Sequence, residues 1–109
     1  MHARQGFEAV SVAGGVLEAS VHLADCRVQQ GDPIDALRLL DEAVSLVDGE
    51  TGVLTASVAR VQAAALAAIG RSVESAERLA DGLEAARRQN LKHEERLLLD
   101  LRDQLTSPV

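Results

Sequence analysis

The sequence predicts an all-α protein made of antiparallel helical hairpins, and three observations predict it. Apolar residues recur at steps of three and four through most of the 109 residues. The apolar set is Ala, Leu and Val, with Phe7 the sole aromatic residue and Trp and Tyr absent. A core of such small side chains needs backbones that approach closely, which favours helix on helix. Stretches similar to one another also return about forty residues apart, as a stacked series of like units requires.

The first helix is read from Leu17, Val21, Ala24 and Val28, which share one face, while Glu18, His22, Asp25 and Gln29 occupy the other. Gly31 and Pro33 end it and start the next, with Asp32 placed to cap and Pro33 in the first turn, where a missing N–H costs nothing. The second helix is expected to turn Ile34, Leu37, Leu40, Val44 and Val47 inward and Asp35, Arg38, Glu42 and Ser45 outward, stopping around Asp48 and Gly49. A third runs from about Thr51 to Ile69 on Leu54, Val58, Val61, Ala65 and Ile69, and Gly70 ends it. The fourth, about Ser72 to Gln89, is expected to bury Val73, Ala76, Leu79, Ala80 and Leu83, with Glu74–Arg78 and Glu84–Arg88 as ion pairs four apart. Asn90 stands where a left-handed C-terminal residue belongs, and Leu91 is the apolar residue after it. A fifth helix, roughly Lys92 to Leu105, carries Leu98, Leu101 and Leu105 on one side.

Three offsets describe the self-similarity. Gly15–Val21 (GVLEASV) returns at 52–58 as GVLTASV, 37 residues on; the turn glycines Gly31 and Gly70 are 39 apart; and Arg4–Phe7 (RQGF) returns at 88–91 as RQNL, 84 on. Two hairpins of about forty residues fit all three, giving one domain over 1–109 with a first repeat at about 7–48, a second at about 51–89 and a terminal helix at about 91–106. On this reading Met1 to Gln5 match the end of a second helix, Gly6 its C-cap, and the chain is a segment of a longer solenoid.

The small residues within the first repeat resemble the tetratricopeptide pattern. Ala24, seven before Gly31, holds the small position of the first helix, and Ala36, Leu40 and Ala43 hold the small, large and small positions of the second. In the second repeat Ala63 and Leu79 keep the pattern, Ser75 and Gly82 replace two alanines, and the pattern's large aromatics are missing throughout. The likeness is to the degenerate tetratricopeptide-like (TPR-like) class with longer repeats, over about Ala3 to Leu105. More narrowly, GDPIDALRLLDEAVSLVD, ARVQAAALAAIGR and GLEAARRQNLKHEERLLL look like the C-terminal helical region of large actinobacterial regulators, in which an adenylate/guanylate cyclase or LuxR-type DNA-binding domain accompanies an NTPase domain. The resemblance implies a short right-handed solenoid and a sensory or scaffolding role in a bacterial signalling regulator, with the chemistry carried by other domains.

Composition narrows the classes of function. A hydrophobic share of 47% with 26% charged residues is an ordinary globular mixture. A net charge of -6 without a basic stripe argues against nucleic acid or an anionic membrane as a partner of this segment. One cysteine excludes an internal disulfide and points to a reducing compartment. No apolar run approaches the roughly 20 residues of a membrane span, and no charged segment leads into an apolar one as in a secretory signal. The cytoplasm is the expected location.

No catalytic, cofactor or metal site is predicted. Gly14 and Gly15 lack the lysine and hydroxyl of a P-loop and are read as a kink or a close helix contact. His22 lies four after Glu18 and three before Asp25, with Cys26 four further on, but zinc needs more convergent ligands than this. The expectation is a surface histidine paired with Glu18 and a small buried Cys26. Lys92–Arg96 (KHEER) reads as a charged first turn and Ala86–Arg88 (ARR) as a basic last one, both suited to the helix dipole.

What remains is a non-catalytic interaction module. Its partner is expected to be a protein or peptide held in a groove lined by the first helix of each hairpin, with Glu18, His22, Asp25, Thr55 and Gln62 as candidates. Their acidic bias favours a basic or polar partner. Leu97 to Leu99 are more apolar than an outer face should be, so Leu98, Leu101 and Leu105 form the second candidate surface, for self-association as a homodimer through the terminal helix.

Overall fold

The computed structural model describes residues 2–106, with side chains from Gly14 onward. Five helices follow in order: α1 (His2–Gln29), α2 (Pro33–Leu46), α3 (Thr55–Ala68), α4 (Ser72–Arg88) and α5 (Lys92–Thr106), with a 3₁₀ turn (Gly52–Leu54) leading into α3. No strand occurs among the described residues.

Four helix ends close in the same way. At Gly31, Asp48, Gly70 and Asn90 the backbone takes φ of 82°, 53°, 83° and 58°. The N–H of the next residue then reaches back to a carbonyl five positions earlier: Asp32 to Arg27 at 2.8 Å, Gly49 to Val44 at 3.0 Å, Arg71 to Leu66 at 2.9 Å and Leu91 to Ala86 at 2.8 Å. This satisfies carbonyls that the helix leaves unpaired and reverses the chain within a few residues. At the end of α2 the left-handed position at the cap falls to Asp48, with Gly49 following at φ 79°. Asp32 occupies the N-cap of α2 but makes no side-chain cap bond, so the helix starts on Pro33 alone.

Two clusters of buried residues make the core. One joins Leu17, Val21 and Ala24 of α1 and Ala36, Leu40 and Ala43 of α2 to Val58, Val61 and Ala65 of α3. The other joins Ala56 and Ala63 of α3 to Leu79, Leu83, Ala85 and Ala86 of α4 and Leu98 of α5. Helix α3 serves both, so its alanines are buried on two faces, as a central helix requires.

Burial picks one of the three offsets. Leu17 and Ala56, Ala24 and Ala63, Ala36 and Ser75, Leu40 and Leu79, and Ala43 and Gly82 are all 39 apart, and all ten are buried. The textual repeat at 37 is not a structural one, because Gly15–Val21 lies inside α1 whereas Gly52–Leu54 is the separate turn before α3. Nor does Gly6 cap a helix: α1 runs through it from His2 to Gln29. Met1 lies outside the described residues.

Five residues expected to face inward lie at the surface. Ile34 and Val73, themselves 39 apart, are 61% and 74% exposed. Both sit in the first turn of their helix, and helical side chains lean toward the N-terminus, past the end of the neighbour they might have met. In α4 the buried stripe is Ser75, Leu79, Gly82, Leu83 and Ala86, and Ala76 and Ala80 face out. Cys26 is exposed, because it follows Ala24 by two positions, about 200° round the helix.

The two departures from alanine explain that rotation. Ser75 is 2% exposed and donates its hydroxyl to the Ala63 carbonyl at 2.7 Å, so a polar side chain is buried with its partner. At Gly82 a Cβ would stand 3.0 Å from Leu98 Cδ2 and 3.1 Å from Ala59 Cβ. Glycine lets α4 settle into the notch between α3 and α5.

Candidate functional site

Helices α1, α3 and α5 lie side by side, α3 touching both of the others. Between them runs a groove of ≈ 750 Å³. Val21, Val28, Leu54, Leu97 and Leu101 supply its apolar lining, and Glu18, Asp25, Glu94 and Asp100 its carboxylates. His22 and His93 line it from α1 and α5.

Arg60 ties the three helices together. Its Nε donates to Glu94 Oε2 at 2.8 Å and its Nη2 to Glu94 Oε1 at 3.4 Å, while Nη1 stands 3.9 Å from Asp25 Oδ2. Ser57, one turn earlier on α3, donates to Glu94 Oε1 at 2.6 Å. The Arg60 and Glu94 side chains are only 19% and 11% exposed, so solvent screens this pair far less than it screens the surface pairs. Each helix thus contributes one charged group to a single cation-centred network.

The sequence-derived candidates divide. Glu18, His22 and Asp25 line the groove, and so does Leu101. Thr55 and Gln62 do not: α3 has both flanks buried, and the positions it leaves toward the groove are Ser57, Arg60 and Ala64. Thr55 instead donates to the Gly52 carbonyl at 2.8 Å and closes the turn into its own helix. Leu98 is 0% exposed and belongs to the core beside Gly82. Leu105, 43% exposed, lines a different hollow of ≈ 520 Å³ with Ala76, Leu79, Ala80 and Leu83 of α4. Leu97 to Leu99 therefore form no outer apolar face: the first lines the groove, the second is core, and Leu99 packs on the second cluster.

Spacing in the sequence does not mark Ser57, Arg60, Glu94, Leu97 and Asp100, which line the groove together, as parts of one site. One signal was there: Arg60 is the only charged residue between Thr51 and Gly70. A lone arginine in an alanine-rich helix with two buried flanks needs a carboxylate from elsewhere in the chain. Glu94 is both that carboxylate and a dipole-favoured residue of the first turn of α5.

The pairs four apart resolve in part. Arg38–Glu42 at 3.2 Å and Arg88–Glu84 at 3.5 Å are present. Glu74 and Arg78 part company, Glu74 pairing with Arg71 at 2.6 Å and Arg78 with Asp81. Around Gly14 and Gly15 nothing lies within 4 Å of an added Cβ, so neither marks a close helix contact. Among the described residues no group of three His, Cys, Asp or Glu side chains could hold a metal ion, and no helix is long and apolar enough to cross a membrane. Comparison with protein-family models, with curated proteins and with solved structures finds no match.

Proposed function

We propose that this chain is a non-catalytic protein-interaction or scaffolding module of the tetratricopeptide-like kind, which holds a peptide or a neighbouring domain in the groove between α1, α3 and α5. The observation that carries the reading is that the first helix of each hairpin and the terminal helix line one continuous groove, locked by Arg60. Buried pairs 39 residues apart support the repeat, since like units stacked in one register place like helices on one side. The resemblance to helical regions of bacterial signalling regulators supports a role in such a protein. Self-association through α5 has less support, because Leu98 is core and Leu101 lines the groove.

Selection of a random peptide library displayed on phage against the purified chain tests the reading. Enriched peptides should shift the backbone amide resonances of α1, α3 and α5 and lose binding to Leu97→Asp. Failure to enrich any peptide, or shifts confined to α2 and α4, would overturn it.

A further inference from the structure

We infer that the segment held in this groove is short and basic, with Lys or Arg alternating with aliphatic residues. This names the ligand class for the groove reading and rests on it. The charge of the lining carries the inference. Among the described residues, four carboxylates, Glu18, Asp25, Glu94 and Asp100, face one guanidinium, that of Arg60, and no lysine lines the groove. Arg60 is engaged with Glu94 through two nitrogens and stands 3.9 Å from Asp25, so Glu94 is the carboxylate it satisfies. The walls of the described groove are left with three negative charges in excess, spread over α1 and α5.

Arg60 also shows what the walls can do. It is a cation already held between a carboxylate of α1 and a carboxylate of α5, and an incoming guanidinium or ammonium meets the same pairing from the open side. Between the charges, Val21, Val28, Leu97 and Leu101 offer apolar seats. An acidic segment would face like charge along the whole groove, and an uncharged one would leave the excess carboxylates without partners.

Length follows from helix geometry. From Glu18 to Gln29 the α1 wall spans twelve residues, eleven steps of about 1.5 Å that make about 16 Å. An extended chain covers that in about five residues. Two or three basic side chains on such a segment match the excess carboxylates in number.

The test uses three acetylated eight-residue peptides, of alternating leucine with lysine, glutamate or serine, titrated into the full chain by calorimetry and amide shift mapping. The lysine peptide should bind in the groove about tenfold more tightly than the other two at low ionic strength, from two or three pairs of modest individual strength. Raising the salt concentration should erode that advantage. Glu18→Gln, Asp25→Asn and Asp100→Asn should each weaken it about two- to fivefold, and together abolish the preference. A control with the same change in net charge, Asp41→Asn, Asp48→Asn and Glu77→Gln on exposed positions outside the groove, should keep it. Thermal melts of both triple variants establish that they fold. Equal groove binding by the serine or glutamate peptide overturns the charge inference and leaves the groove reading standing. Absence of binding by all three also overturns it, and the phage selection then decides the groove reading separately.

Discussion

Two glycines of one chain make opposite predictions, because their surroundings differ. At Gly82 an added methyl would press on Ala59 and Leu98, both fixed by packing. Overpacking of this kind costs about 1–3 kcal/mol, more than the roughly 1 kcal/mol of helix propensity gained. Gly82→Ala should therefore lower the urea midpoint, and Leu98→Ala in the same protein should relieve that strain, giving a non-additive double mutant. Gly15 is exposed with open space around it, so Gly15→Ala should stabilise by about 1 kcal/mol in the same urea titration. Ser75 resembles Gly82 in replacing an alanine, but it contributes through its hydroxyl bond to Ala63. Arg38 illustrates a charge that decides little. Its hydrogen bond to Asp35, then the charges of Asp35 and Glu42, raise an already very high pKa. A raised pKa contributes in full below the unfolded value and is lost as pH climbs to the folded one, so this cation is constant through any ordinary pH range.

At the scale of elements, α5 is joined to α3 by a few long-range contacts. Leu98 is 0% exposed and seats α5 against α3 and α4. Leu98→Ala should cost about 2–5 kcal/mol, read as a lower thermal midpoint. Arg60→Ala strands Glu94, which is 11% exposed, beside Ser57 alone. The loss should be about 2 kcal/mol, whereas the double variant Arg60→Leu with Glu94→Leu should recover most of it, because a half-buried pair offsets much of its own desolvation. A thermal-denaturation cycle over the four proteins checks this. The pairing could not have been assigned from spacing: Glu94 lies 34 positions from Arg60 and 37 from Ser57, and no local period links it to either.

For the whole molecule the question is whether two hairpins unfold as one. Both apolar clusters include α3, and α1 and α5 meet it from opposite sides. The clusters share that helix but no residue, so melting either one strips a buried face from α3. Leu40→Ala in the first cluster and Leu79→Ala in the second should therefore each shift one common transition, seen alike by circular dichroism at 222 nm and by amide exchange. Two separate transitions would show instead that the hairpins are independent units, as in repeat arrays whose coupling is weak.

Helix number, order and ends were legible because they depend on neighbours in sequence. Steps of three and four mark α2 to α5 to within a few residues, and Gly31, Gly70 and Asn90 mark ends because a left-handed residue is needed where each helix stops. Half of the groove was legible for the same reason, since Glu18, His22 and Asp25 must share a face of α1. Only the tertiary structure decided how α4 is rotated about its axis, because hydropathy ranks Ala76 and Ala80 above Ser75 and Gly82 and so points to the face that lies outward. The depth of contact with Ala59 and Leu98 sets the opposite order. It decided likewise that α3 turns Ser57 and Arg60 to the groove and that Glu94 of α5 meets them there. A helix forms from bonds four residues long, whereas the face it shows is set by the shape and charge of whatever packs beside it.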